Sequence, residues 1–331
     1  MNTPHAPHIV AIGGGGGATQ VLKAAQGFTE KLTAVIAVTD TGRSTGLART
    51  IGNVPAPGDL RATIAAFATD KQMADLLQYR FSGAGISQLD GMAFGNLMLA
   101  ALANTSADFA VAVEQLAAMC RCTAQILPIT AANIQLCAEL VDGTLVAGEL
   151  PVRGLNKPAI KRLFLSGAAP AHPPVLDAIQ QADLVVLGPG SLFTTVLAAL
   201  LTDGVIAALR DTRAQVAFVC NNTTQPGQTD GFTALNHVQR MTEVLGPGVL
   251  DVALINRSPY DPQAMQPYEA EGLFLLQPDD AEIAQIAALG VQPVVRELAE
   301  PIGAKRALWN KQDTIRHDPV ALQAALQSIV G

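Results

Sequence analysis

His8-Ile9-Val10-Ala11-Ile12, then Gly13-Gly14-Gly15-Gly16-Gly17, then Ala18-Thr19-Gln20-Val21-Leu22-Lys23 is the stretch that decides the fold. A short apolar run, a set of glycines and a helix-compatible run give the order strand, tight loop, helix. Without Cβ atoms the loop turns sharply and lets a ligand approach the main chain. The following helix start offers free N–H groups and a partial positive charge, which suit a phosphate. A structural turn is the competing reading, because one glycine-rich loop alone is a weak signal.

Working outward, the same grammar recurs. Leu32–Thr39 is apolar and β-branched and ends at Asp40-Thr41-Gly42-Arg43-Ser44-Thr45-Gly46. Leu184–Leu187 ends at Gly188-Pro189-Gly190-Ser191, Gln215–Cys220 ends at Asn221-Asn222-Thr223-Thr224-Gln225-Pro226-Gly227, and Val252–Ile255 ends at Asn256. Helices are predicted over 60–69, 72–80, 94–103, 108–119, 175–181, 194–202 and 233–245. In 108–119, Phe109, Val113, Leu116 and Ala117 share a face. Val141-Asp142-Gly143-Thr144 lies between two alternating runs and predicts a hairpin with a primed turn, so 122–166 reads as strand-rich and antiparallel. The fold class is therefore α/β. We expect a Rossmann-like, mostly parallel sheet flanked by helices, with a small antiparallel strand-rich insertion, as one domain over 8–331. In an open parallel sheet the strand ends share one edge and ligands bind in the crevice there, so a nucleotide-like ligand is expected.

Composition narrows the partners. The chain has 331 residues, is 49% hydrophobic and only 4% aromatic, and carries a formal charge of −7. No basic stripe exists to neutralise a nucleic-acid backbone, so a nucleic-acid partner is not expected. No apolar run reaches membrane-spanning length, and no membrane partner is expected either. Cys120, Cys122, Cys137 and Cys220 form no pair of C-x-x-C knuckles, which argues for buried thiols in a reducing cytoplasm rather than zinc. The apolar helices over 94–119 would serve a core or the face of a homo-oligomer equally well.

The candidate site residues follow from the loops. Gly13, Gly14, Gly15 and Gly16 form the first cradle, and Gly188, Gly190, Ser191 and Thr194 a second anion nest. Thr39, Asp40, Arg43 and Ser44 make a polar loop. In it Asp40 is a candidate base or Mg2+ ligand, with a turn residue as the plainer reading. Asp59 is placed to cap the helix after Pro57-Gly58, and Arg61, one turn in, faces a phosphate or pairs with an acid. Asn96 joins a ligand, or satisfies a buried backbone group. Asn221, Thr224 and Gln225 offer neutral hydrogen-bonding groups suited to a base or sugar hydroxyls, and His237 reads as a core or surface residue. The chain has neither a G-x-x-x-x-G-K-[ST] loop nor a G-x-S-x-G elbow, so any reaction would rest on positioning and electrostatics.

Taken in order, Ile12-Gly13-Gly14-Gly15, Thr39–Gly46, Pro57-Gly58-Asp59-Leu60-Arg61, Gly95-Asn96-Leu97, Leu127-Pro128-Ile129-Thr130, Gly188–Thr194, Thr224–Thr229, Ile255-Asn256 and Arg316-His317-Asp318-Pro319 form a specific set. It resembles the gluconeogenesis factor group of the 2-phospho-L-lactate transferase-like family. The resemblance runs from about residue 9 to the end. It implies a Rossmann-like fold. In the gluconeogenesis factors it implies binding of UDP-sugars such as UDP-N-acetylglucosamine and a link between carbon metabolism, cell-wall synthesis and cell shape. In the transferase branch it implies transfer of a phospholactyl group from a nucleotide donor to a deazaflavin alcohol with Mg2+, and Asp40 matches an acidic residue at the acceptor site. Three positions depart from the pattern. Arg43 stands for a glycine, Met92 for the histidine of a Gly-His pair, and Gln228 for the glutamate of Pro-Gly-Glu-Thr.

Overall fold

The computed structural model describes residues 6–82, 85–87, 89–106, 108–301, 303 and 314–331, with only the main chain at Arg43. Seven strands form one sheet: β1 (Ile9–Gly13), β2 (Leu32–Ile36), β3 (Gln125–Pro128), β7 (Leu184–Leu187), β8 (Gln215–Val219), β9 (Val252–Asn256) and β10 (Gln292–Arg296). Their order is β10-β9-β8-β7-β1-β2-β3, and every neighbouring pair is parallel. The inner strands are largely apolar, with few polar residues such as Thr33, Gln215 and Asn256, because helices cover both faces of a parallel sheet. All five residues of β1 and of β2 are buried.

Helices 15–25, 58–67 and 319–330 form one packed group, and helices 43–52, 94–106 and 109–119 another. Alanines at the seams, such as Ala18, Ala24, Ala112 and Ala325, are buried and allow close helix approach. This explains how so few aromatics suffice for the core.

The insertion is a separate three-stranded antiparallel sheet of β4 (Leu136–Leu140), β5 (Leu145–Ala147) and β6 (Ile160–Leu165), in the order β5-β4-β6. Two expectations change here. The segment 122–166 is not wholly antiparallel, since β3 pairs with β2 in the main sheet. The hairpin turn is not of a primed type either. Gly143 has φ +87 while Asp142 lacks the positive φ that both primed types need at the first centre, and Gly143 N–H bonds Leu140 C=O at 3.0 Å. The Asp142 carboxylate, accepting from Thr144 N–H at 2.9 Å, steadies this three-residue loop. Strand β10, with Pro293 inside it at the sheet edge, carries no clear sequence signal.

Candidate functional site

The strand order reverses between β1 and β7, and the crevice opens at their C-terminal ends. The two glycine loops that follow these strands interlock. A Cβ on Gly17 would stand 1.6 Å from the Pro189 carbonyl oxygen, and one on Gly13 3.7 Å from Gly188 Cα. Gly15, Gly16 and Gly17 are the first turn of helix 15–25 rather than an open loop, with Gly14 as a cap that has no side-chain bond. Their missing side chains serve backbone packing: Gly15 presses on Asp59, and only Gly16 faces open space.

The Asp59 carboxylate accepts the Gly15 N–H at 2.8 Å. It therefore does not cap its own helix 58–67, whose cap position is Pro57. Standing between two helix starts, one carboxylate answers the partial positive charge of both. Asp59 thus occupies a donor of the first cradle with an anion from the protein itself.

On the second cradle, Gly188 (φ +77) and Gly190 (φ +154) hold a conformation that other residues rarely adopt. The helix after them opens with a π turn over Leu192–Leu197, so it starts two residues before the expected 194. Ser191 Oγ donates to Gln228 Oε1 at 2.7 Å and accepts from Thr194 Oγ1 at 2.8 Å. Asn221 Nδ2 donates to Gly190 C=O at 2.8 Å.

The β2 side is densely paired. Asp40 Oδ1 accepts the Gly42 N–H at 2.7 Å, the turn role, and its carboxyl also hydrogen-bonds Glu149. Glu149, on the insertion helix 149–153, accepts Thr41 N–H at 3.2 Å. Burial first, and the Asp40 carboxyl second, raise Glu149 to about 8, against the opposing pull of Arg153. Burial and the neighbouring carboxyl thus both favour the protonated form of Glu149. Buried Arg49 ties this loop to the insertion, donating to the Asp40 carbonyl at 3.2 Å and to the Ile134 carbonyl at 2.7 Å.

Ser44 Oγ is a hub that accepts from Ala93 N–H at 2.9 Å and Asn96 Nδ2 at 3.0 Å and donates to the Met92 sulfur at 3.3 Å. Asn96 in turn accepts from Arg61 Nε at 3.3 Å, so it links side chains and not the first cradle. Arg61 pairs with two amides, Asn96 and Gln78, and among the described residues it is seen to hydrogen-bond no acid. Burial, then Arg80, lower its pKa to about 10 while Asp59 holds it up. The Arg43 side chain lies outside the described residues.

The β8 and β9 rim differs. Among the described residues, buried atoms without a hydrogen-bond partner include Asn221 Oδ1, Asn222 Oδ1, Gln225 Oε1 and Asn256 Nδ2 here, and Thr39 Oγ1 and Thr41 Oγ1 after β2. Thr224 is spent on structure: its hydroxyl accepts Phe274 N–H at 2.9 Å and bonds Gly272 C=O at 3.2 Å. The tail closes over this rim, with His317 Nε2 3.0 Å from the Cys220 carbonyl oxygen and Asn222 Nδ2 donating to the Arg316 carbonyl at 3.0 Å. His237 is fully buried and lowered to about 4 by burial, a neutral core residue as expected. Sequence reading missed Glu149 and the orphaned Asn222. The doublet Asn221-Asn222 at a strand end was the available signal for the second.

The pattern of the 2-phospho-L-lactate transferase CofD family matches residues 9–299. This chain belongs to that family. The CofD-family chain is 33% identical over 314 residues to the gluconeogenesis factor of Bacillus subtilis, covering 94% of each protein. It is 34% identical over 323 residues to that of Halalkalibacterium halodurans, covering 96% of this chain and 95% of the other. A crystal structure of a Bacillus halodurans protein superposes with a TM-score of 0.87 at 30% identity, covering 99% of this chain and 100% of that one. The Rossmann-like reading thus holds for this CofD-family member. Among the described residues no helix is long and apolar enough to cross a membrane. No group of three or more His, Cys, Asp or Glu gathers among them as a metal cage. Mg2+ needs only one or two carboxylates beside a ligand's phosphates, and Asp40 with Glu149 has that donor chemistry.

Proposed function

We propose that this chain binds a nucleotide-linked ligand in the switch-point crevice, a UDP-sugar such as UDP-N-acetylglucosamine. In this reading it acts in the cytoplasm as a gluconeogenesis factor, linking carbon metabolism to cell-wall synthesis and cell shape. The supporting observation is the row of buried, unpaired polar atoms at one sheet edge: Thr39, Thr41, Asn221, Asn222, Gln225 and Asn256. Such atoms are costly to leave unmet, and they are neutral donors and acceptors of the kind a base and sugar hydroxyls satisfy. From β2 to β8 is three strand spacings, about 14 Å, which calls for an extended ligand rather than a lone phosphate. With Asp59 on Gly15, and with Gly188 N–H spent on the Ile12 carbonyl, the diphosphate falls to the Gly190 and Ser191 amides and the open side of Gly16. Calorimetric titration of the chain with UDP-N-acetylglucosamine, GDP and GTP tests this. Uridine preference is expected; guanine preference, or no heat with any of them, overturns it.

One observation favours a second reading, a phospholactyl-type transferase. The hydrogen-bonded Asp40 and Glu149 carboxyls, with Glu149 shifted toward its protonated form by burial and by Asp40, form a pair suited to moving a proton. In that reading Asp40 would hold Mg2+, and the ion would supply charge neutralisation to a phosphate. Asp40→Asn separates the readings. It leaves nucleotide binding largely intact in a binding protein, and abolishes turnover of a deazaflavin alcohol in an enzyme.

A further inference from the structure

The short helix Glu149–Arg153 and the four residues after it run from one side of the crevice to the other. At the near end Glu149 accepts the Thr41 N–H at 3.2 Å and hydrogen-bonds Asp40, both on the loop after β2. In the middle the helix contacts the π turn that follows β7, and Val152 is fully buried. At the far end the loop after β8 is touched twice. Lys157 Nζ donates to Gly227 C=O at 2.5 Å, and Gly227 lies so close that a Cβ there would be 2.5 Å from the Gly154 carbonyl oxygen. The span fits the length. Five helical residues rise about 7 Å and four extended ones reach about 13 Å, enough to cross the three strand spacings between β2 and β8.

The segment is also bracketed by hinges. Gly148 before it has φ +92, and Asn156 near its end has φ +56. Hinges are a few loop or element-terminal residues that absorb a large change in backbone angle, and these two stand at such positions. The apolar side chains Leu150 and Leu155 stand exposed on it, 53% and 65%, so the segment is held by its ends, by buried Val152 and by the adjoining strands β4 and β5 rather than by a broad apolar face.

We propose that residues 149–157 are a hinged clasp over the crevice, which lifts at its Lys157–Gly227 end to admit and release the ligand; this rests on the reading of the crevice as the ligand site. A clasp tied to the loops after β2, β7 and β8 sets entry and exit rates more than affinity. Lys157 is the release point because its one hydrogen bond among the described residues is to a main-chain carbonyl, with only the charge attraction of Asp230 added to it.

Hydrogen exchange of the free full-length chain decides whether the clasp opens locally. In the wild type, 149–157 should exchange faster than β4, and Lys157→Ala should speed exchange in 149–157 about tenfold, as loss of one charged hydrogen bond implies, while β4 is unchanged. Lys157→Arg should restore protection. Exchange of 149–157 only in step with β4, or indifference to Lys157→Ala, overturns the clasp. Stopped-flow with UDP-N-acetylglucosamine then reads the gating. Association and dissociation rates should rise together in Lys157→Ala with Kd within about threefold; unchanged rates in a chain that binds the ligand overturn the gating role. A chain that opens locally but binds no UDP-sugar refutes the proposed ligand instead and leaves the opening established.

Discussion

The two halves of the crevice rim are built on opposite plans. On the β1–β2 side the groups that invite a ligand are largely met from within: Asp59 sits on the Gly15 N–H, and Ser44, Asn96 and Arg61 form a closed chain. On the β8–β9 side Asn221, Asn222, Gln225 and Asn256 each keep one buried atom unpaired. The run of five glycines is the louder sequence signal, yet most of its glycines serve the fit of main chain against main chain. The quieter asparagine-rich rim retains the unspent hydrogen-bonding capacity. A glycine-rich loop therefore marks a close approach, and only the surrounding polar accounting says whether the approaching partner is a ligand or the protein.

The largest expected effect tests the first half of that contrast. Gly17→Ala puts a Cβ 1.6 Å from a main-chain oxygen that cannot swing aside, so thermal unfolding should show a loss of about 3 kcal/mol or more. A loss under 1 kcal/mol would mean the two loops are not interlocked. Next comes the seam between the halves. Glu149 lies above its ordinary value of 4.5, at about 8, because burial and Asp40 favour its protonated form. The folded chain then holds a proton that the unfolded chain has lost. The resulting stability is full below the ordinary carboxylate range and fades as pH rises toward 8, by at most about 1.4 kcal/mol per unit. Glu149→Gln, which keeps a neutral amide in place, should flatten that slope in denaturant titrations at pH 5.5 and 7.5; an identical slope would place the proton elsewhere.

The opposite half should respond in affinity rather than stability. Gln225→Ala removes an unpaired Oε1, so stability should stay within about 0.5 kcal/mol while UDP-sugar affinity in calorimetry falls about tenfold. A stability loss with no change in affinity would reverse the assignment of the two sides. The smallest effect sharpens the comparison within the glycine run itself. Gly16→Ala meets nothing within 4 Å in a helical position and should gain about 0.5 kcal/mol, in contrast with its neighbour Gly17.

Much of the frame was legible in the sequence. Strands β1, β2, β7, β8 and β9 are buried on both faces and so read as unbroken apolar runs, each ending at Gly, Asp or Asn where the chain leaves the sheet. That fixed the shared edge before any topology was known. What stayed hidden depends on partners distant in sequence. Asp59 looks like a local cap, but its acceptor role is met by Gly15, 44 residues away. Glu149 follows a glycine in a short hairpin and gives no hint of Asp40; its bond to Thr41 spans 108 residues. The same limit explains Thr224, whose hydroxyl suits a ligand in sequence and is taken by Gly272 and Phe274 in space. Arg43 remains the one departure from the family pattern whose side chain lies outside the described residues.

The tail's grip on the β8 rim has a consequence for biosynthesis. Asn222 donates to the carbonyls of Ile315 and Arg316, and His317 meets the Cys220 carbonyl across 97 residues. A nascent chain on the ribosome can assemble β1, β7 and β8 and their glycine loops long before those last partners emerge. The rim is therefore finished only after residues 315–317 have emerged, well behind its own strands, and a product cut short before residue 315 carries the strands of the crevice without its completed wall.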